Sequence, residues 1–140
     1  MQATTNLVAR LLFVALFLPA GISKLMGFEG TVGYFNWLGI PAASLAVAAT
    51  IAIEILGSIA LLVGFKTRVA AVILAVFTLA ASIAGHAYWA VPAEQMFVQK
   101  LLFFKNLAVV GGLLLLAIQG AGKLSIDGRG DRIIGEKYAL

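Results

Sequence analysis

The sequence predicts an all-α integral membrane protein, a four-helix bundle whose helices span the bilayer. Three observations carry the prediction. Hydrophobic residues make up 62% and charged residues 11% of the 140 positions, whereas soluble domains run at about 45–50% apolar and about 25% charged. A chain this short leaves much of its surface in water when it folds, so the composition argues against a soluble enzyme, a nucleic-acid-binding domain and a disordered chain. The apolar residues also gather in four runs, each close to the ~20 residues that cross a hydrocarbon core. None shows the ten-residue alternation of a membrane barrel, so helices must satisfy the backbone.

The spans are expected at about 7–25, 42–63, 68–89 and 100–118, forming one domain over 1–119. The first carries Arg10 and Lys24 on one side at opposite ends, by the helical period. Pro19 lies between them and frees the carbonyl of Ala15. Pro19-Ala20-Gly21 could pass for the small-residue end of a cleaved leader. No charged side chain precedes Arg10, however, and three more spans follow, so an uncleaved first span is the simpler reading. The loop from Gly27 to Pro41 is expected to be irregular because Gly27, Gly30, Gly33 and Gly39 punctuate it. Its Tyr34, Phe35 and Trp37 suit the aromatic belt of a membrane interface.

The second span holds Glu54 near its middle. A central acidic side chain costs roughly 2.5–3.5 kcal/mol on insertion scales, so Glu54 must face the bundle. Thr50, Gly57 and Ser58 share its face and let a neighbouring helix approach closely. Gly64 to Arg68 is a tight turn that makes the second and third spans antiparallel neighbours. The third span presents Ala71, Ala75, Thr78, Ser82 and His86 on one stripe, with Tyr88 and Trp89 at its outer end. On the fourth, Lys105 and Asn106 follow Phe103-Phe104, and Lys105 shares a side with Ala108, Val109 and Gly112. From Gly120 the chain is polar and glycine-rich; 120–140 is expected to be a short cytoplasmic tail too small for a second domain.

The net charge of +4 belongs to topology rather than to nucleic-acid binding. Arg10, Lys66, Arg68, Lys123, Arg129, Arg132 and Lys137 fall on the side of both termini, against Lys24, Lys100 and Lys105 on the other. The positive-inside rule therefore places both termini in the cytoplasm.

By rise per residue, Lys24, His86, Lys105 and Asn106 lie in the outer half, Glu54 deeper, and Arg10 near the inner surface. Two readings stand. In one, the outer residues line a ligand pocket open to the outside and floored by Glu54. Its aromatic wall would come from Phe35, Trp37, Phe103 or Trp89. In the other, each acts alone: Arg10 and Lys24 snorkel to the two interfaces, Lys105 and His86 are interfacial, and Glu54 pairs with Arg10 or Lys105.

The chain has no Cys and one His, which removes disulfides, thiol chemistry, thiolate metal sites, iron–sulfur clusters and bis-His haem. His86 and Glu54 differ in depth by on the order of 10 Å, so no metal site is expected between them. Asp127 and Asp131 lie across the membrane from His86, which leaves no hydrolytic triad. No covalent cofactor is expected. A quinone suits the site: it lives in the bilayer, and its carbonyls take donors such as His86, Lys105 or Asn106.

At these residues the chain resembles the DoxX family of small four-helix membrane proteins. The resemblance rests on Arg10 with Gly21-Ile22-Ser23-Lys24-Leu25, and on Glu54-Ile55-Leu56-Gly57-Ser58. It continues through Leu61-Leu62-Val63-Gly64-Phe65, Thr67-Arg68-Val69-Ala70-Ala71 and Phe104-Lys105-Asn106-Leu107-Ala108, then Gly111-Gly112-Leu113 and Leu124-Ser125-Ile126-Asp127. The runs Met26-Gly27-Phe28-Glu29-Gly30-Thr31-Val32 and Gly85-His86-Ala87-Tyr88-Trp89 resemble the YphA-type inner-membrane members in particular. The resemblance implies an inner-membrane location and a role beside a membrane redox system. Some members form the membrane part of a thiosulfate:quinone oxidoreductase, and others are implicated in complexes tied to redox stress. Members that work through thiols need the Cys this chain lacks.

Three expectations follow: a quinone-interacting subunit beside a partner redox protein, a non-catalytic scaffold that anchors a partner, or a small-solute or proton transporter using Glu54. The last would need a homo-oligomer to build a pathway. The bilayer is a partner in all three, and nucleic acid in none.

Overall fold

A computed structural model describes residues 2–129, and its long elements are all α-helices. They are α1 (Gln2–Met26), α2 (Phe28–Trp37), α3 (Ala43–Val63), α4 (Thr67–Gly85) and α5 (Ala93–Gln119), with a 3-10 turn at Tyr88–Ala90. Four of the helices are long and apolar enough to cross a membrane: α1, α3, α4 with the turn after it, and α5. Arg132, Lys137 and the rest of the expected tail beyond 129 lie outside the described residues.

The element bounds differ from the apolar runs in three places, each for a local reason. The segment expected to be irregular contains α2, with Gly30 and Gly33 inside the helix. The α1 ladder continues to Gly27, whose N–H donates to Ser23 O, and Thr31 N–H then donates to Gly27 O. Two helical glycines cost roughly 1 kcal/mol each, and packing of α2 on α3 overrides that. The last span starts at Ala93 rather than near 100. Its polar first turns hide it from an apolar count, yet Pro92 at the N-cap and the Ala-Glu-Gln-Met run favour a helix. Within the third span the α-helix ends at Gly85, because His86 leaves helical geometry at the cap, and the 3-10 turn at Tyr88–Ala90 completes the span.

The core lies toward the end that carries the first residues of α1. Val14, Phe17, Leu61, Leu74, Leu113 and Leu116 form its centre. α1 meets α5 there through Phe13 and Gly112: a Cβ on Gly112 would lie 2.9 Å from the Phe13 ring.

Three helix ends are satisfied at this same end. Arg10 is fully buried (0% exposed), and its guanidinium donates to Leu61 O, a carbonyl of the last α3 turn, at 3.2 Å, and to Leu124 O. Asp127 accepts from Lys66 N–H at 2.8 Å and Thr67 N–H at 2.9 Å, covering the start of α4. Arg68 donates to Ala117 O and Ile118 O in the last α5 turn. Cations thus sit at helix C-termini and an anion at an N-terminus, where the dipoles favour them. The described part of the tail is therefore folded onto the bundle: Asp127 N–H donates to Gly64 O at 2.9 Å. Gly64 has φ +70°, and a Cβ there would run into the Arg10 guanidinium and Ser125.

Candidate functional site

The other end of the bundle is hollow, and the reason begins with one glycine. A Cβ on Gly21 would lie 2.8 Å from Ile55 Cγ1 and 3.0 Å from Glu54 Cβ. Glycine therefore lets the last turns of α1 lie directly against the middle of α3. One turn further on, Lys24 reaches Glu54: Nζ is 2.9 Å from both carboxylate oxygens. The ammonium also approaches Ala20 O at 3.4 Å. The Glu54 side chain is 6% exposed and that of Lys24 27%, so the acid is enclosed while the base borders open space. Pairing removes most of the penalty of a lone charge at this depth. The partner of Glu54 is thus Lys24; neither Arg10 nor Lys105 pairs with it, because Arg10 is taken by backbone carbonyls at the far end.

The pair borders a cavity of about 490 Å³, within the usual size of a small-molecule site. Its polar atoms come from Lys24, Thr50, Glu54, His86 and Asn106, and from Tyr34 on α2. Its apolar wall is Leu16 and Phe17 from α1, Phe35 and Leu38 from α2 and its end, and Phe77 with Ala80, Ala81 and Ala84 from α4. Thr78 also lines it, but its hydroxyl is committed to Leu74 O at 2.7 Å. Ser82 does the same toward Thr78 O. Tyr34 and Phe35 of α2 line the cavity, and its Leu16, Ala80 and Ala84 are exposed rather than sealed into the core.

His86 caps the end of α4 and its Nδ1 lies 2.9 Å from Gln99 Oε1 on α5. A carbonyl oxygen only accepts, so with the amide in this orientation Nδ1 donates and the neutral ring keeps Nε2 as an acceptor.

Of the sequence candidates, Lys24, Glu54, His86 and Asn106 come together at the cavity, while Lys105 and Arg10 do not. Lys105 is exposed on the outside of α5; neighbours on a helix point about 100° apart, so the turn that aims Asn106 inward aims Lys105 out. The aromatic wall also differs. Phe35 lines the cavity, but Trp37 is 76% exposed and stacks on Tyr34 at 5.9 Å. Trp89 and Phe103 lie 5.6 Å apart in a separate aromatic group with Tyr88 and Phe104. The sequence reading assigns Tyr34 to the aromatic belt rather than to a pocket, and it leaves out Phe77, Gln99, Ala80, Ala81 and Ala84. Phe77, Ala81 and Ala84 recur at helical spacing beside the Thr78–Ser82 stripe, which is a readable signal. Tyr34 gives no signal for a pocket, since the glycines around it predict an irregular loop where α2 forms.

Fold and site define a small multi-pass helical membrane protein with a part-buried Lys–Glu pair beside an open cavity. The chain belongs to the DoxX family, whose model matches residues 5–87. It is 38% identical over 123 residues to inner membrane protein YphA of Escherichia coli K12, covering 88% of each chain. It is 40% identical over 132 residues to inner membrane protein YqjF of the same strain, covering 94% of this chain and 93% of that one. A more distant match, 34% over 78 residues, is the Bacillus subtilis protein named "Putative oxidoreductase CatD", covering 56% of this chain and 57% of that one. No solved structure matches at a significant level. The family match takes in Gly21, Lys24, Glu54 and His86 and leaves out α5, so Gln99 and Asn106 lie beyond it.

Proposed function

We propose that this chain is an inner-membrane protein whose outer-half cavity binds a quinone and thereby serves a membrane redox system. The observation that carries the reading is the Lys24–Glu54 pair at the polar wall of an otherwise apolar open cavity among the spanning helices, where a carrier dissolved in the bilayer would meet it. The pair is neutral as a unit, so the site suits a neutral amphiphile with acceptor oxygens rather than an anion. Lys24 donates to both Glu54 oxygens and, at 3.4 Å, to Ala20 O, so a ligand carbonyl would take the place of Ala20 O as the third acceptor; Asn106 and Tyr34 offer further donors across the cavity. Phe17, Phe35 and Phe77 supply the flat apolar faces that a ring needs. The names of YphA and YqjF support the inner-membrane location, and the name of CatD supports a redox association. Electrons would come from a partner redox protein, and this chain's residues bind and orient the carrier.

In this reading both termini are cytoplasmic, which the charge bias supports. A C-terminal reporter active only on the periplasmic side overturns that placement. The function is tested by purification in mild detergent with quinone titration. A rise in Tm that Lys24→Met abolishes is the expected result. A Tm indifferent to quinone sinks the reading and leaves the scaffold or transporter ahead.

A further inference from the structure

We propose a second ligand site, for the headgroup of an anionic phospholipid, at the opposite end of the bundle from the quinone cavity. A groove of about 1010 Å³ lies where α4 begins and α5 ends. Three cations border it from three segments: Lys66 in the α3–α4 turn, Arg68 in the first turn of α4, and Lys123 after α5. Asp127 is the acid at the groove, and its carboxylate is directed at the backbone N–H groups of Lys66 and Thr67. The excess is therefore positive.

Arg68 is held in place by Ala117 O and Ile118 O, so one cation is preorganised. Among the described residues Lys66 and Lys123 make no side-chain hydrogen bond, and Lys66 leans over the Phe65 ring at 5.8 Å. The rim is apolar and open: Phe65, Val69 and Ile126 are each about half exposed. Val69 begins the lipid-facing side of α4, so acyl chains can run along the span while a phosphodiester meets the cations. Depth selects the occupant. The groove sits at the ends of two spans, where headgroups are, and charge complementarity selects an anionic one. Either leaflet supplies such lipids, so the site does not depend on the orientation of the termini.

The test compares the full chain in detergent, by Tm and by native mass spectrometry, with phosphatidylglycerol, phosphatidylcholine or inorganic phosphate added. Phosphatidylglycerol is expected to stay bound and raise Tm; the other two are expected to do neither. Lys66→Gln with Lys123→Gln should weaken phosphatidylglycerol retention on the order of tenfold, while Lys100→Gln at the other end keeps it. Equal retention of phosphatidylcholine, full stabilisation by phosphate alone, or an unchanged preference in the double variant each overturns the proposal. The double variant's Tm without lipid shows that it folds.

Discussion

The two ends of this bundle hold the same kinds of residue and use them oppositely. At the end near the first residues of α1, Arg10 is sealed in and spends its hydrogen bonds on helix carbonyls. At the other, Lys24 meets Glu54 beside empty space. Large apolar side chains fill the first region, Leu61, Leu74 and Leu113 with no exposure; in the second, Ala20 and the α4 alanines leave space between Phe17, Phe35 and Phe77. A buried cation that only closes helix ends is a device of stability. A cation paired next to a void remains available to something that enters.

The largest effect is expected where the packed end has no slack. Gly64→Val meets Arg10 and Ser125 at a backbone φ of +70° and should lower stability by more than about 3 kcal/mol, read as lost expression or a collapsed Tm. A near-native Tm would show that the docked segment after α5 holds little. Next comes Arg10→Leu, which strands the Leu61 and Leu124 carbonyls; about 2–3 kcal/mol is expected, measured by thermal unfolding in detergent.

At the hollow end, stability and binding should separate. Glu54→Leu alone leaves Lys24 unpaired and should cost about 1–3 kcal/mol, while Glu54→Gln, which still accepts a hydrogen bond, costs less. Glu54→Leu combined with Lys24→Met should return most of the lost Tm yet abolish any quinone-dependent shift. If the double variant is as unstable as the single one, the pair is a structural bolt and the contrast between the ends fails. The smallest effect is a difference between two alanines. Ala71→Leu enters a site with no exposure and should cost about 1–3 kcal/mol. Ala84→Leu grows into the cavity or the open side and should change Tm little while reducing quinone binding. Equal losses would mean that the cavity closes up in the membrane.

Sequence alone determined what the bilayer enforces. Apolar runs near twenty residues must be helices, and an acid at mid-span must face inward, so four helices and the inward face of Glu54 were legible. Small residues at helical spacing also announced the α4 stripe that is buried through Ser82. What the sequence left open was which residues meet across helices. The sequence offered Arg10 or Lys105 as the partner of Glu54; the pairing falls to Lys24 because Gly21 lets α1 and α3 touch, a contact between segments that periodicity within either one does not specify. Lys105 and Asn106 carry the same signal as neighbours on a helix, and only the seat of α5 on α4 turned one in and the other out. The chain after α5 read as a polar tail because its value lies in capping other helices' ends: Asp127 serves α4, and the Leu124 carbonyl takes Arg10. Local pattern reports how a segment meets lipid or water, whereas the site is made of distances between segments, and those exist only in the packed fold.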